Sequence, residues 1–160
     1  GTFINCTRLL EEKGWTVLCI EPNPRHQAAL RSTRKLVLQC ACDEHPHVII
    51  QMWENTAVPG LTQTSCYPPR FGCQNEFLAT VLTLDQCLVI AGFTKLDVLV
   101  LDVDGIERRI LNGFSIDHWK PKAVIIEGCA DGRLDPFLTR GYRQVGTRAD
   151  DNRLLLREEE

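Results

Sequence analysis

Residues 96–105 read LDVLVLDVDG. Val98 to Leu101 are uninterrupted apolar residues, and Asp102, Asp104 and Gly105 follow at once. A strand that is apolar on both faces must be covered on both, which is the condition of a central strand in a parallel sheet flanked by helices. Past Gly105 the spacing turns helical, from Ile106 to Leu111, and Gly113 supplies the stop. The chain is therefore constrained to contain a buried strand whose carboxyl end carries acids and leads directly into a helix.

The rest of the chain repeats that alternation. Thr16 to Glu21 and Leu36 to Cys42 read as short buried strands on either side of a helix at Arg25 to Arg34. Val48 to Trp53 is a third apolar run, Thr83 to Ala91 a helix, and Ala123 to Glu127 another buried strand. A short helix at Leu134 to Thr139 precedes YRQVGT and RLLLRE, which read as an antiparallel hairpin. Residues 54–76, with Pro59, Gly60, Pro68, Pro69 and Gly72, read as one long loop. The expected class is α/β: a mostly parallel sheet from strands 16–21, 36–42, 97–103 and 123–127, ending in an antiparallel hairpin. At 160 residues the chain suits one domain spanning 1–160.

Composition narrows the function classes. The net charge is −3 and no Lys/Arg run forms a stripe, so nothing points to nucleic acid. The densest basic segment, Arg25 to Lys35, reads as the solvated face of a helix. No apolar stretch is long enough to cross a membrane, and no signal peptide opens the sequence. Several of the eight cysteines sit in apolar runs, where a thiol acts as a small hydrophobe. That favours free thiols in a reducing compartment, the cytoplasm by default. Cys66 and Cys73, in the Pro/Gly-rich loop, are the one pair placed to bridge.

Among the candidate site residues, Glu21 ends the first strand. A carboxylate there suits a nucleotide ribose, since two neighbouring hydroxyls can both donate to it. It can equally cap the next helix. Asp102 and Asp104 admit two chemistries. In a hhhhDxDG motif the first Asp attacks phosphorus and the second works as acid/base near magnesium, as in haloacid-dehalogenase-like phosphatases. That motif usually opens a chain, however, and the residues left after Asp104 are too few for the later parts of such a site. CACDEHPH presents Cys40, Cys42, His45 and His47, a soft-ligand set without the usual zinc spacing. His118 and Trp119 read as the connection between a helix and a strand, and Trp15 and Trp53 as packing residues.

GTFINCTRLLEEKGWTVLCIEPNP resembles the FkbM-type methyltransferases, which have a helix ending in a GW turn followed by a strand ending in EPNP. The resemblance continues through TLDQCLVIAGFTKLDVLVLDVDGIERRILNGF, AVIIEG and RGYRQV, in the family's order and over nearly the whole chain. It implies a class I, Rossmann-like fold that uses S-adenosylmethionine to methylate a hydroxyl of a small molecule or sugar. Glu21 would hold the cofactor ribose, with Asn23 of the same EPNP turn also at the cofactor and Asp43 near its adenine. Gly1 would be the last residue of the family's glycine-rich loop, whose strand would precede this chain, so a fragment lacking the first strand is expected. Asp102, Asp104 and Glu127 would form the substrate side, with Asp102 as base. The family's DVEG is DVDG here, a carboxylate shorter by one methylene. Some animal relatives keep the fold for membrane trafficking or protein interaction, which is the non-catalytic alternative.

Overall fold

The computed structural model describes residues 7–55, 61–64, 73–103, 105–127, 134–147 and 152–158. Helix α1 (Arg8–Glu12) leads into β1 (Leu18–Ile20), α2 (Gln27–Thr33) and β2 (Leu36–Leu38). β1 and β2 are parallel, with Leu18 opposite Leu36 and Ile20 opposite Leu38. This is the strand–helix–strand unit that the apolar runs predict. Gly14, at φ 89°, occupies the left-handed region that glycine tolerates and so ends the α1 turn.

The middle of the chain departs from the expected pattern. β3 (Ala41–Cys42), β4 (His47–Asn55), β5 (Leu61–Thr64) and β6 (Cys73–Leu82) form a separate sheet in the order β3-β6-β4-β5. β4 runs antiparallel to both β5 and β6, while β3 runs parallel to the end of β6. Two expectations are corrected here. Leu36 to Cys42 is two strands in two sheets, and residues 54–76 contain strand at both ends and in the middle. The signal for β6 is its period of two: Phe77, Ala79 and Val81 are buried, and Glu76, Leu78 and Thr80 are exposed. Long-range pairing with β4 settles the strand, and a local reading dominated by Pro and Gly passes over it.

The second half builds the main core. α3 (Leu84–Ile90) starts in a capping box, with Thr83 and Gln86 each accepting from the other's backbone N–H. β7 (Val98–Leu101), α4 (Glu107–Asn112), α5 (Ile116–Trp119), β8 (Ala123–Ile126), α6 (Asp135–Leu138), β9 (Tyr142–Thr147) and β10 (Arg153–Arg157) follow. β7 and β8 are parallel, β10 is antiparallel to β8 and β9, and the order is β7-β8-β10-β9. The terminal hairpin is as expected. Leu99, Leu101, Val124, Ile126 and Leu155 meet Leu84, Leu88, Ile110, Leu111 and Phe137 from the helices.

The single Rossmann-like sheet does not form among the described residues: the strands make three sheets. β7 stands at the margin of its sheet instead of between two neighbours. Its far side, like that of β1, opens onto a cleft. None of Leu18, Cys19 and Ile20 is fully buried for that reason.

One basic residue is also misjudged by composition. Arg34 is buried, not solvated, and its Nη1 lies 3.2 Å from Glu11 Oε2. Glu11 Oε1 accepts from the Lys35 N–H at 2.9 Å, and Arg34 Nε donates to Cys19 Sγ at 3.0 Å. The pair ties α1 and β1 to the end of α2. Breaking a buried pair leaves an uncompensated charge, so Glu11→Ala is expected to lower unfolding free energy by about 3–5 kcal/mol, measured by urea denaturation. A loss below 1 kcal/mol would mean that the guanidinium reaches water in the variant.

Candidate functional site

The cleft between β1 and β7 has a volume of about 1400 Å³. Every residue from Thr16 to Pro22 lines it, and every residue from Leu96 to Val103. A cavity lying against a sheet face touches alternate residues, because successive side chains point to opposite faces. Contact with every residue means that both strands present their edges, with backbone groups that have no strand partner among the described residues directed across the gap. The space is also larger than the roughly 300–1,000 Å³ of an ordinary small-ligand pocket.

Two of the sequence-predicted residues meet in this cleft. Glu21 follows the carboxyl end of β1, and Asp102 follows the carboxyl end of β7. Glu21 Oε1 accepts from the Asn23 N–H at 2.8 Å and lies 3.6 Å from His26 Nδ1. Gln27 Nε2 donates to the Glu21 carbonyl at 2.7 Å. The carboxylate thus does cap its own turn, through one oxygen, and Oε2 has no partner among the described residues. The acid therefore serves the EPNP turn, while the N-cap of α2 is His26, without a side-chain cap bond. Asp102 is exposed at the other wall.

Asn23 is fully buried and off the cleft; its Oδ1 accepts from the Arg25 N–H at 3.0 Å, which stiffens the EPNP turn from beneath. Asp43 is also off the cleft. Its carboxylate is gripped by Arg109, Nε to Oδ1 at 3.1 Å and Nη2 to Oδ2 at 2.5 Å, and Oδ1 accepts from the Glu44 N–H. A fork-to-carboxylate pair of this kind is directional as well as strong. Glu127 ends β8 and lies outside the cleft lining, its N–H donating to the Leu101 carbonyl at 3.0 Å. Gly1 and Asp104 lie outside the described residues.

Sequence reading passed over two residues that shape this end of the molecule. Glu107 is 1% exposed, and its Oε1 accepts from the Gly105 N–H at 3.0 Å, holding the turn that carries Asp102. An acid two residues past the glycine of DVDG was the available signal. Arg109 has none, since its partner Asp43 is 66 positions away. Trp15 lines the cleft at 43% exposure, contrary to its expected packing role. Trp119 does pack: it is buried, and its Nε1 donates to Asp85 Oδ1 at 2.9 Å. His118 stacks edge-on against it. Cys19, Cys40, Cys42 and Cys87 are free thiols. Cys6, Cys66 and Cys129 lie outside the described residues, as does the side chain of Cys73. Among the described residues no group of His, Cys, Asp or Glu is arranged to hold a metal ion, and no helix is long and apolar enough to cross a membrane.

This architecture, a strand ending in EPNP facing a strand ending in DVDG, can be set against known proteins. A family model described as the methyltransferase FkbM domain matches residues 1–143. The chain belongs to the FkbM methyltransferase family. The match covers α1 through the start of β9, and so both walls of the cleft. No curated protein and no solved structure matches the chain. Membership favours methyl transfer over the phosphoryl transfer that the hhhhDxDG motif alone would allow.

The Asp43–Arg109 clamp brings the end of α4 against the turn at Asp43. A Cβ added at Gly113 would sit 2.9 Å from the Asp43 carbonyl oxygen, the Glu44 Cα and the Glu44 carbonyl oxygen. All three are backbone atoms with little freedom to move. Gly113→Ala is therefore expected to destabilise by about 1–3 kcal/mol, the usual cost of overpacking. A thermal melt unchanged from the parent protein would show that α4 can slide away without loss.

Proposed function

We propose that this FkbM-family chain is an S-adenosylmethionine-dependent O-methyltransferase domain acting on a hydroxyl of a small molecule or sugar. The observation that supports it is the meeting of Glu21 and Asp102 in one cleft, each following the carboxyl end of a parallel-paired strand. In open α/β folds that end is where ligands bind.

The residues present fit the cofactor. Glu21 keeps one carboxylate oxygen unpartnered among the described residues, as a ribose diol requires, and apolar side chains of β1 and β7 wall the space beside it. S-adenosylmethionine, when bound, supplies a methyl group on a positively charged sulfur. Glu21 holds and orients the ribose, and the Asn23 N–H and His26 fix the carboxylate that does so. Asp102, exposed at the opposite wall, accepts the proton of the acceptor hydroxyl. Of the other two acids, Asp104 follows Asp102 in DVDG and is the proposed acceptor-orienting group, whereas Glu127 lies off the cleft lining. Asp43 acts at the adenine end through the loop it anchors, its own oxygens being engaged by Arg109. Most of the rate comes from holding acceptor and methyl in line, and the base adds to it.

The two facing strand edges support a further part of the same reading. A parallel strand between β1 and β7 would pair both rows of backbone groups and complete one sheet. The turn after such a strand would hold the methionine end of the cofactor.

Calorimetric titration with S-adenosylmethionine tests this. The protein is expected to bind the cofactor, and Glu21→Ala should weaken binding roughly tenfold or more, the loss expected for hydrogen bonds to a charged group. Asp102→Asn should leave binding intact and lower kcat by about 10²–10⁴-fold. Unchanged affinity after Glu21→Ala removes the ribose role.

A further inference from the structure

Three cysteines from two distant parts of the chain converge beside the cleft. Cys40 and Cys42 lie two residues apart around β3, and so on one face, while Cys87 lies in the middle of α3. The Cys87 sulfur is 3.6 Å from the Cys40 sulfur and 3.6 Å from the Cys42 sulfur. Cys87 has no exposed surface, and Cys40 is 2% exposed. Cys40 and Cys42 both line the cleft, and Cys87 does not. The three sulfurs are not grouped as metal ligands. Cys42 is thus the partly exposed member at the cleft, Cys40 is a nearly buried lining residue beside it, and Cys87 lies behind both.

We propose that Cys40 and Cys87 are a peroxide-sensitive dithiol, oxidised to a disulfide by a small hydroperoxide that enters the cleft, with Cys42 as a positioning residue. The Cys40 sulfur attacks one peroxide oxygen and becomes a sulfenic acid, as the O–O bond breaks and the other oxygen leaves as water. The Cys87 sulfur then attacks the sulfenic sulfur. The S–S bond forms, and the hydroxyl departs with the Cys87 proton as a second water. Two thiols and one hydrogen peroxide thus give one disulfide and two waters. Closing the sulfurs from 3.6 Å to a bonded separation of about 2 Å needs only a small adjustment of the two side chains.

The surroundings favour Cys40 as the attacking sulfur. Hydrogen bonds from Cys42, and then from Cys87, lower its thiol pKa, against a smaller opposing effect of burial. The same contact with Cys40 raises that of Cys87 to about 12, keeping it a protonated thiol until the sulfenic acid forms. The thiolate is the reactive form of cysteine, so this asymmetry separates attacker from resolver. The bond joins the residue just before β3, on the cleft wall, to α3, which packs in the main core.

The test treats the 160-residue protein with hydrogen peroxide, blocks remaining thiols, and maps linkages by mass spectrometry. A Cys40–Cys87 disulfide that dithiothreitol reverses is the expected product. Cys42→Ala should still form it, more slowly. Cys87→Ala should instead yield a dimedone adduct at Cys40. Should Cys87→Ala fail to fold, the linkage map of the parent protein decides alone. The proposal is overturned if Cys40 and Cys87 remain fully alkylatable after peroxide has oxidised other cysteines. It is equally overturned if Cys87 pairs with Cys42 and continues to do so in Cys40→Ala.

Discussion

The parallel ladder between Val98–Leu101 and Ala123–Ile126 carries the rest of the molecule. It buries Leu99, Leu101, Val124 and Ile126 against helices on one side and receives β10 on the other. The Glu127 N–H extends it by one bond to the Leu101 carbonyl, so the strand end that releases Asp102 is held rigidly. A buried strand cannot leave its polar backbone unpaired without cost. β7 satisfies one edge through β8, and its other edge faces the cleft. That single asymmetry explains why a strand of wholly apolar residues stands at a sheet margin, and why the cleft lies where it does.

Polar clamps then fix the helices against this frame, each joining parts of the chain far apart in sequence. Asp85, in the first turn of α3, accepts from the Ser115 backbone and hydroxyl and from Trp119, seating α5. Asp43 and Arg109 seat α4 against the end of β3. Glu11 and Arg34 seat α1 against α2. Charged groups that would be costly to bury alone are tolerated because each has a partner with matched geometry. Their shared effect is positional. The turns that carry Glu21 and Asp102 are braced from behind by the Gln27 and Glu107 side chains, which leaves the two carboxylates themselves at the cleft.

Much of this was legible in the sequence. The strands at 18–20, 36–38, 98–101 and 123–126, the α3 helix and the terminal hairpin follow from apolar runs, helical spacing and glycine stops, all of them local signals. Placing Glu21 and Asp102 at strand ends needed only those runs. The FkbM resemblance rested on motifs in a fixed order, and the family match over residues 1–143 has the same extent. The β4–β5–β6 sheet was not legible, because the sequence between its strands is rich in proline and glycine and its pairing is long-range. The burial of Arg34 was not legible either, since a basic residue at a helix end ordinarily meets solvent.

The sequence by itself therefore determined the kinds of element, their order along the chain, the family and the two carboxylates that end β1 and β7. Only the tertiary structure decided which edges pair, that β1 and β7 face one another across an open cleft, that Asp43 is committed to Arg109, and that Cys87 sits behind Cys40 and Cys42. The physical reason is range. Hydrophobic periodicity and capping act over a few residues and are written locally. Edge pairing, ion pairing and sulfur contacts join residues tens of positions apart, and they exist only once the core has brought those positions together.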